Sequence, residues 1–218
     1  LRTFSENEIT KIKQTLRKKK QSFPQEWLGR ALAYTPYQPR PLYGSLKKSI
    51  DFTPKNLYYF SQNLLSKAQT EFLQTAKYYE NQASGFFIES LEYLTYLRRY
   101  VSIPLVYDFL ILDSYQLLES LVYGTDGIVF YPQFLTQKEL KDLSDYALKI
   151  GLERIFRIES KEDLTKSIFA KADILDLNGN FTLLPMIPKN KIILSKIPQE
   201  LQNQTQHLQA LDAKILIL

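Results

Sequence analysis

Five polar residues stand at or just past the C-terminal ends of short apolar runs: Glu89, Asp108, Arg157, Asn178 and Lys196. Apolar runs of that length, each followed by a helical pattern, read as buried parallel strands. If those strands share one sheet, the five side chains gather at one mouth. Arg157 and Lys196 could then bind a phosphate or carboxylate, and Asp108 or Glu89 could act as a base. The plainer alternative is that these charges pair with one another. Other chemistry is bounded by composition. Cysteine is absent, which removes disulfides, thiolate metal sites and a Cys nucleophile. His207 is the only histidine. It lies in TQHLQ, where a solvated helix-surface position is expected rather than a member of a triad. No metal site and no cofactor are expected.

The 218 residues suffice for a sizeable core, and 44% apolar with 23% charged residues is an ordinary globular profile. No apolar run reaches membrane-spanning length, and LRTFSENEITKIK has no apolar signal core. A cytoplasmic protein without membrane contact is expected. The net charge is +5, with the sharpest basic run at Arg17–Lys20. No aromatic or Gly-rich RNA-binding signature accompanies that run, so a solvated helix face is expected and nucleic acid is not.

The elements that must position the candidates follow from periodicity. Residues 5–20 read as an amphipathic helix with a capping box from Ser5 to Glu8. Pro24, Pro36, Pro39 and Pro41 break up the next stretch. A short helix over Gln25–Ala33 would let Trp27, Leu28, Leu32 and Tyr34 find burial, and Leu42–Ser49 allows one or two more helical turns. From Asn56 onward strands and helices alternate. Strands are expected at Leu57–Ser61, Gly85–Glu89, Ile103–Tyr107, Gly127–Tyr131, Arg154–Ile158, Asp173–Leu177, Lys191–Ser195 and Ala213–Leu218. Helices are expected at Thr70–Asn81, Leu91–Tyr100, Ser114–Tyr123, Thr136–Ile150, Ser160–Ala170 and Pro198–Leu211, with a turn of helix in Phe181–Pro188. Eight such repeats close most economically into an α/β fold, the (β/α)8 TIM barrel. A doubly wound open sheet is the alternative, and it usually carries a Gly-rich first turn that this chain lacks. Residues 1–50 would form an N-terminal helical extension and 51–218 the barrel. The eighth helix would be absent, its place covered by the extension or by a neighbouring strand face.

Phe23–Ala33, Tyr78–Ala83, Leu94–Gln116 and Leu164–Asn178 together resemble indole-3-glycerol phosphate synthase. The best stretch is VSIPLVYDFLILDSYQLLESLVYGTDGIV, followed by IGLERIFRIESKEDLTKSIFAKADILDLN. The resemblance covers essentially the whole chain in order. It implies a barrel with an N-terminal extension. It also implies a ring-closing lyase that releases carbon dioxide and water from a carboxyphenylamino-deoxyribulose phosphate. That reaction uses a lysine acid, glutamates, an asparagine and a Gly/Ser-rich phosphate cradle.

Carried over position by position, the resemblance implies losses. The family's first motif, E-x-K-x-x-S-P-S-K, falls on residues 59–67, so its glutamate becomes Tyr59 and its lysine Ser61. The loop after the second strand is largely deleted between Glu89 and Leu91. The lysine of R-K-D-F becomes Asp108 or Tyr107, depending on alignment. The fifth-strand glutamate becomes Arg157, which does not deprotonate in proteins. Asn178 is kept. The S-E-S-G loop becomes Ser195, Lys196, Ile197 and Pro198, and no glycine follows Gly179. A phosphate cradle needs backbone N–H groups, and Pro198 has none.

Three expectations follow. The first is a degenerate synthase-like barrel without synthase activity, acting as an interaction or scaffold protein with a protein partner. Tyr58, Tyr59, Tyr78, Tyr79, Tyr93, Tyr96 and Tyr100 would offer interface rings, although helix-to-barrel packing is the plainer explanation for any one of them. The second is a diverged enzyme or binding protein for an anionic small molecule. The third is retained synthase activity using Lys47, Lys48 or Lys67. A mouth sealed by aromatic side chains would favour the first, and an open charged pocket the second.

Overall fold

The computed structural model describes residues 2–47, 53–61, 64, 66, 68–197 and 205–218, the last stretch with side chains from Leu208. Eight parallel strands close into a barrel in sequence order. They are β1 Lys55–Phe60, β2 Gly85–Ile88, β3 Leu105–Tyr107, β4 Gly127–Phe130, β5 Glu153–Arg157, β6 Ile174–Asp176, β7 Ile192–Lys196 and β8 Ala213–Ile217. Closure comes from β1 pairing with β8, in register from Lys55 opposite Ala213 to Tyr59 opposite Ile217. The expected strands are all present, within two residues at each end.

Alternation along each strand sorts the core into two layers. Leu57, Phe87, Val106, Val129, Ile155, Ile174, Leu194 and Ile215 point inward and fill the barrel. Their neighbours, such as Phe60, Phe86, Ile128, Phe156 and Leu175, point outward and meet the helices. Each such burial contributes about 1.5–3 kcal/mol before chain entropy is counted. Three of the barrel's helices begin at capping boxes. Asp113 and Gln116 form a capping box on the helix Ser114–Val122, Thr136 and Glu139 on Gln137–Lys149, and Ser160 and Asp163 on Lys161–Phe169. The expected turn at Phe181–Pro188 is a 3-10 helix over Phe181–Met186. Of the expected Pro198–Leu211 helix, Thr205–Ala210 is described, and the remainder of Leu42–Ser49 beyond Lys47 lies outside the described residues.

The N-terminal extension reaches both ends of the barrel. Its first helix, α1 (Glu6–Ser22), and its second, α2 (Gln25–Leu32), lean on the helix Ser114–Val122 through Leu16, Leu28, Tyr115 and Leu118. The third, α3 (Leu42–Leu46), plugs the N-terminal end of the barrel with Leu42 and Leu46. Gly127 permits this, because a Cβ there would stand 2.8 Å from the Leu42 side chain. The described part of the extension therefore packs on the β3 side and at the barrel ends. That corrects the expectation that it covers the outer face where an eighth helix would lie.

Two burial expectations also change. Leu28 is buried, but Trp27 is 49% and Tyr34 88% exposed, and Trp27 rests edge-on against Phe23. Tyr58 and Tyr59 are buried, not surface rings. Tyr79, Tyr93 and Tyr96 pack partly against the core, which leaves Tyr78 and Tyr100 exposed among the seven.

Candidate functional site

The inward parity that fills the barrel continues one step to its C-terminal mouth. Two residues beyond Leu57, Phe87, Val106, Val129, Ile155, Ile174 and Leu194 stand Tyr59, Glu89, Asp108, Tyr131, Arg157, Asp176 and Lys196. This polar tier is where barrel enzymes keep their chemistry.

Arg157 is its centre and is 1% exposed. Its Nε donates to Asp176 Oδ2 at 2.7 Å. Its Nη1 donates to Asp108 Oδ1 at 3.0 Å and to the Tyr131 hydroxyl at 2.7 Å, and its Nη2 donates to Asp108 Oδ2 at 2.8 Å. The Tyr131 hydroxyl in turn donates to Asp108 Oδ1. Burial pulls the guanidinium pKa down, but the Asp108 and Asp176 carboxylates outweigh it and hold Arg157 well above its ordinary value. Burial and the adjacent Asp108 carboxylate push the Tyr131 hydroxyl far up, so it stays protonated. The plainer of the two expectations for these charges, mutual pairing, describes Asp108 and Arg157. Arg157 is not in an open mouth, and its guanidinium is engaged with protein groups.

Glu89 lies beside this network. It accepts from the Tyr59 hydroxyl and from Arg2 Nη1, the latter at 3.2 Å. Burial raises its carboxyl pKa, Arg2 opposes the rise and Asp108 adds to it. Asn178 sits further out, at positive φ (49°). Its N–H donates to Asp176 Oδ1 at 2.9 Å and its Nδ2 to Glu159 at 2.8 Å, while its Oδ1 is buried without a partner. Lys196 is half-buried at the end of β7 and joins no ion pair among the described residues.

The positions where the resemblance implies catalytic groups have other occupations. The Ser61 hydroxyl donates to the Leu218 carbonyl at 2.6 Å, tying β1 to the end of β8. Tyr107 is buried and stacked on Phe109, and burial raises its hydroxyl pKa. The Ser195 hydroxyl accepts from the Gly179 N–H at 2.9 Å and donates to the Lys196 carbonyl. Pro198, Lys48 and Lys67 lie outside the described residues. The connection from β2 to the helix Leu91–Arg98 consists of Glu89 and Ser90, and Ser90 serves as N-cap.

Above the network the mouth is closed on one side and open on the other. Phe4 packs edge-on against Phe109, Tyr131 and Phe134, at centroid distances of 5.8, 5.1 and 6.0 Å. Over β1, β2 and β8 an open cavity of about 600 Å³ remains, lined by Arg2, Thr3, Tyr59, Ser61, Glu89 and Ile217. The basic run on α1 is partly structural. Lys19 pairs with Glu119 at 2.7 Å and Lys20 with Asp113 at 2.8 Å, which fastens α1 to the barrel. Among the described residues, no group of three or more His, Asp and Glu side chains is arranged to hold a metal, and no helix is long and apolar enough to cross a membrane.

Sequence reasoning missed Tyr131, Asp176, Arg2 and Phe4. The first two were within reach, because counting two residues on from Val129 and Ile174 finds them. Arg2 and Phe4 belong to no regular element, and no periodic signal marks them.

Comparison with known proteins agrees with this architecture. The chain is 38% identical to indole-3-glycerol phosphate synthase of Campylobacter concisus, across 86% of this chain and 81% of that protein. It is 36% identical to the Campylobacter jejuni protein of the same name, across 95% and 90%. Among solved structures, a tryptophan synthase alpha-subunit variant from Pyrococcus furiosus superposes with a TM-score of 0.57 at 15% identity, covering 76% of this chain and 87% of that one, a likeness of fold. A family model described as indole-3-glycerol phosphate synthase matches residues 68–200, and with these relatives it makes the chain a member of the indole-3-glycerol phosphate synthase family.

Proposed function

We propose that this barrel has kept its family's fold but does not carry the ring-closing reaction, and that it serves as a binding or scaffold protein. One observation carries the reading. Where the resemblance places the fifth-strand glutamate, Arg157 is buried and bonded to Asp108 and Asp176. An arginine cannot take up a proton as a base. Held this way, four of its five N–H donors are already committed to Asp108, Asp176 and Tyr131. The lysine position offers Ser61 in one motif and Tyr107 or Asp108 in the other, and no ammonium can act from any of them.

A second reading, retained synthase activity, is favoured by the relatives themselves, which bear the synthase name at 30–38% identity over most of their length. Thermal shift with the family's carboxyphenylamino-deoxyribulose phosphate, beside inorganic phosphate, separates the two. No stabilisation by either is expected. Stabilisation by the substrate at concentrations where phosphate does nothing would overturn the non-catalytic reading of the mouth.

A further inference from the structure

Where the N-terminal extension leans on the outside of the barrel, the packing is incomplete. Pro24 follows the C-cap residue Phe23 of α1, and the chain turns there into α2. Both helices rest on the helix Ser114–Val122 through Leu16, Leu28, Tyr115 and Leu118. Beside that contact a cavity of about 500 Å³ remains among the three helices. Small-molecule sites occupy roughly 300–1,000 Å³. The walls are apolar at Phe23, Leu28, Ala31, Val122 and Tyr123. Phe23 and Tyr123 remain partly exposed, and Trp27 lies edge-on against Phe23.

The polar lining is unequally satisfied. Lys19 and Glu119 pair with each other at 2.7 Å. Tyr115 is 2% exposed and lines the cavity, yet its hydroxyl makes no hydrogen bond among the described residues. Burial raises the pKa of that hydroxyl and the Glu119 carboxylate adds to the rise, so it stays protonated and can donate. Lys18 lines the cavity too, is exposed, and joins no ion pair among the described residues. With the Lys19–Glu119 and Lys20–Asp113 pairs set aside, the described charges in the last turns of α1 and on α2 are Arg17, Lys18 and Arg30 against Glu26. The helix Ser114–Val122 carries no charge besides Glu119. The surplus around the cavity is therefore positive.

We propose that this cavity binds an amphiphilic carboxylate, an apolar chain ended by one acidic head, whose head takes the Tyr115 hydroxyl and the Lys18 ammonium. The apolar chain lies against Phe23, Leu28 and Val122, where its burial supplies most of the affinity. The head supplies the acceptor that the Tyr115 hydroxyl lacks and the counter-charge that Lys18 lacks. No residue of this cavity belongs to the polar tier of the mouth, so the inference goes beyond the reading given above and does not depend on it.

Trp27 is the chain's single tryptophan and reports on the site through Phe23. Decanoate titrated into the full chain should change its fluorescence saturably, with one site per chain by isothermal titration. Decyltrimethylammonium, of equal chain length and opposite charge, should not. Tyr115→Phe removes a hydroxyl that has no protein partner, and should weaken decanoate about tenfold, the worth of a hydrogen bond to a charged group. Lys18→Gln should weaken it about threefold, and by less at high salt. Absence of saturable binding, equal binding of the cation, or unchanged affinity in either variant would overturn the proposal. Far-UV circular dichroism verifies the fold of both variants. If Tyr115→Phe does not fold, the exposed Lys18→Gln decides alone. Synthase turnover, present or absent, bears on the mouth and leaves this inference as it stands.

Discussion

At the N-terminal end of the barrel Arg98 meets Asp126 at 2.6 Å; at the C-terminal end Arg157 meets Asp108 at 2.8 Å and Asp176 at 2.7 Å. Both guanidiniums are buried, but their partners differ in kind. Asp126 also accepts from the backbone N–H of Arg40 at 2.6 Å and of Leu105 at 2.8 Å, and Arg98 donates to the Gln38 carbonyl at 2.5 Å. The lower pair thus satisfies the backbone of the extension and of β3, groups that an exchange of one side chain for an apolar one does not remove. The upper network joins side chain to side chain, apart from the Asn178 N–H that Asp176 accepts. A network of that kind can be replaced by apolar residues, and its presence is weak evidence for stability. The lower end is a latch between extension and barrel. The upper end is a mouth whose charges face each other.

That contrast predicts unequal costs. The largest belongs to Asp126→Ala, which strands Arg98 and two backbone N–H groups; denaturant unfolding should show a loss of about 3–5 kcal/mol. Arg157→Met alone should cost a similar amount, because it leaves Asp108 and Asp176 as adjacent buried carboxylates. The comparison sharpens when whole networks are removed. Arg157→Met/Asp108→Leu/Asp176→Leu should recover most of the loss, to within about 1–2 kcal/mol of the original, whereas Arg98→Met/Asp126→Leu should not. Equal recovery at both ends would erase the distinction between latch and mouth.

Phe4→Ala should cost less than the roughly 3–5 kcal/mol of a core Phe truncation, because residues 2–4 can detach locally without unfolding the barrel. Hydrogen exchange should confine the change to the start of the chain and to the loops carrying Phe109 and Phe134.

The smallest effect concerns pH. Burial pushes the Glu80 carboxyl up, but the N–H of Ser102 and the Lys77 ammonium outweigh it and hold the pKa below its ordinary value. A lowered folded-state pKa adds stability that is present above the unfolded value and is lost as pH falls through the folded one. The stability gap between the unsubstituted chain and Glu80→Gln should therefore hold, at under about 1 kcal/mol, from pH 7 to 5 and shrink below about 4.3.

The strands were legible because inward and outward faces are both apolar, leaving short continuous runs between helix caps such as Asp113, Thr136 and Ser160. The membership of the mouth was half legible. Glu89, Asp108, Arg157 and Lys196 could be named from strand ends, but their pairing could not, because pairing depends on neighbours brought close by barrel closure. Tyr131 and Asp176 needed the parity count carried past the strand. Trp27 misled, since a large apolar residue on a short helix reads as core yet stands half exposed.

The most direct test of the central claim is turnover. Purified protein would be given the carboxyphenylamino-deoxyribulose phosphate and the indole product followed by fluorescence, with the Campylobacter jejuni relative assayed alongside. The account predicts product from the relative and none above background from this chain. Product formed by this chain, and lost in Arg157→Met at unchanged fold, would place Arg157 in a working site and contradict the account.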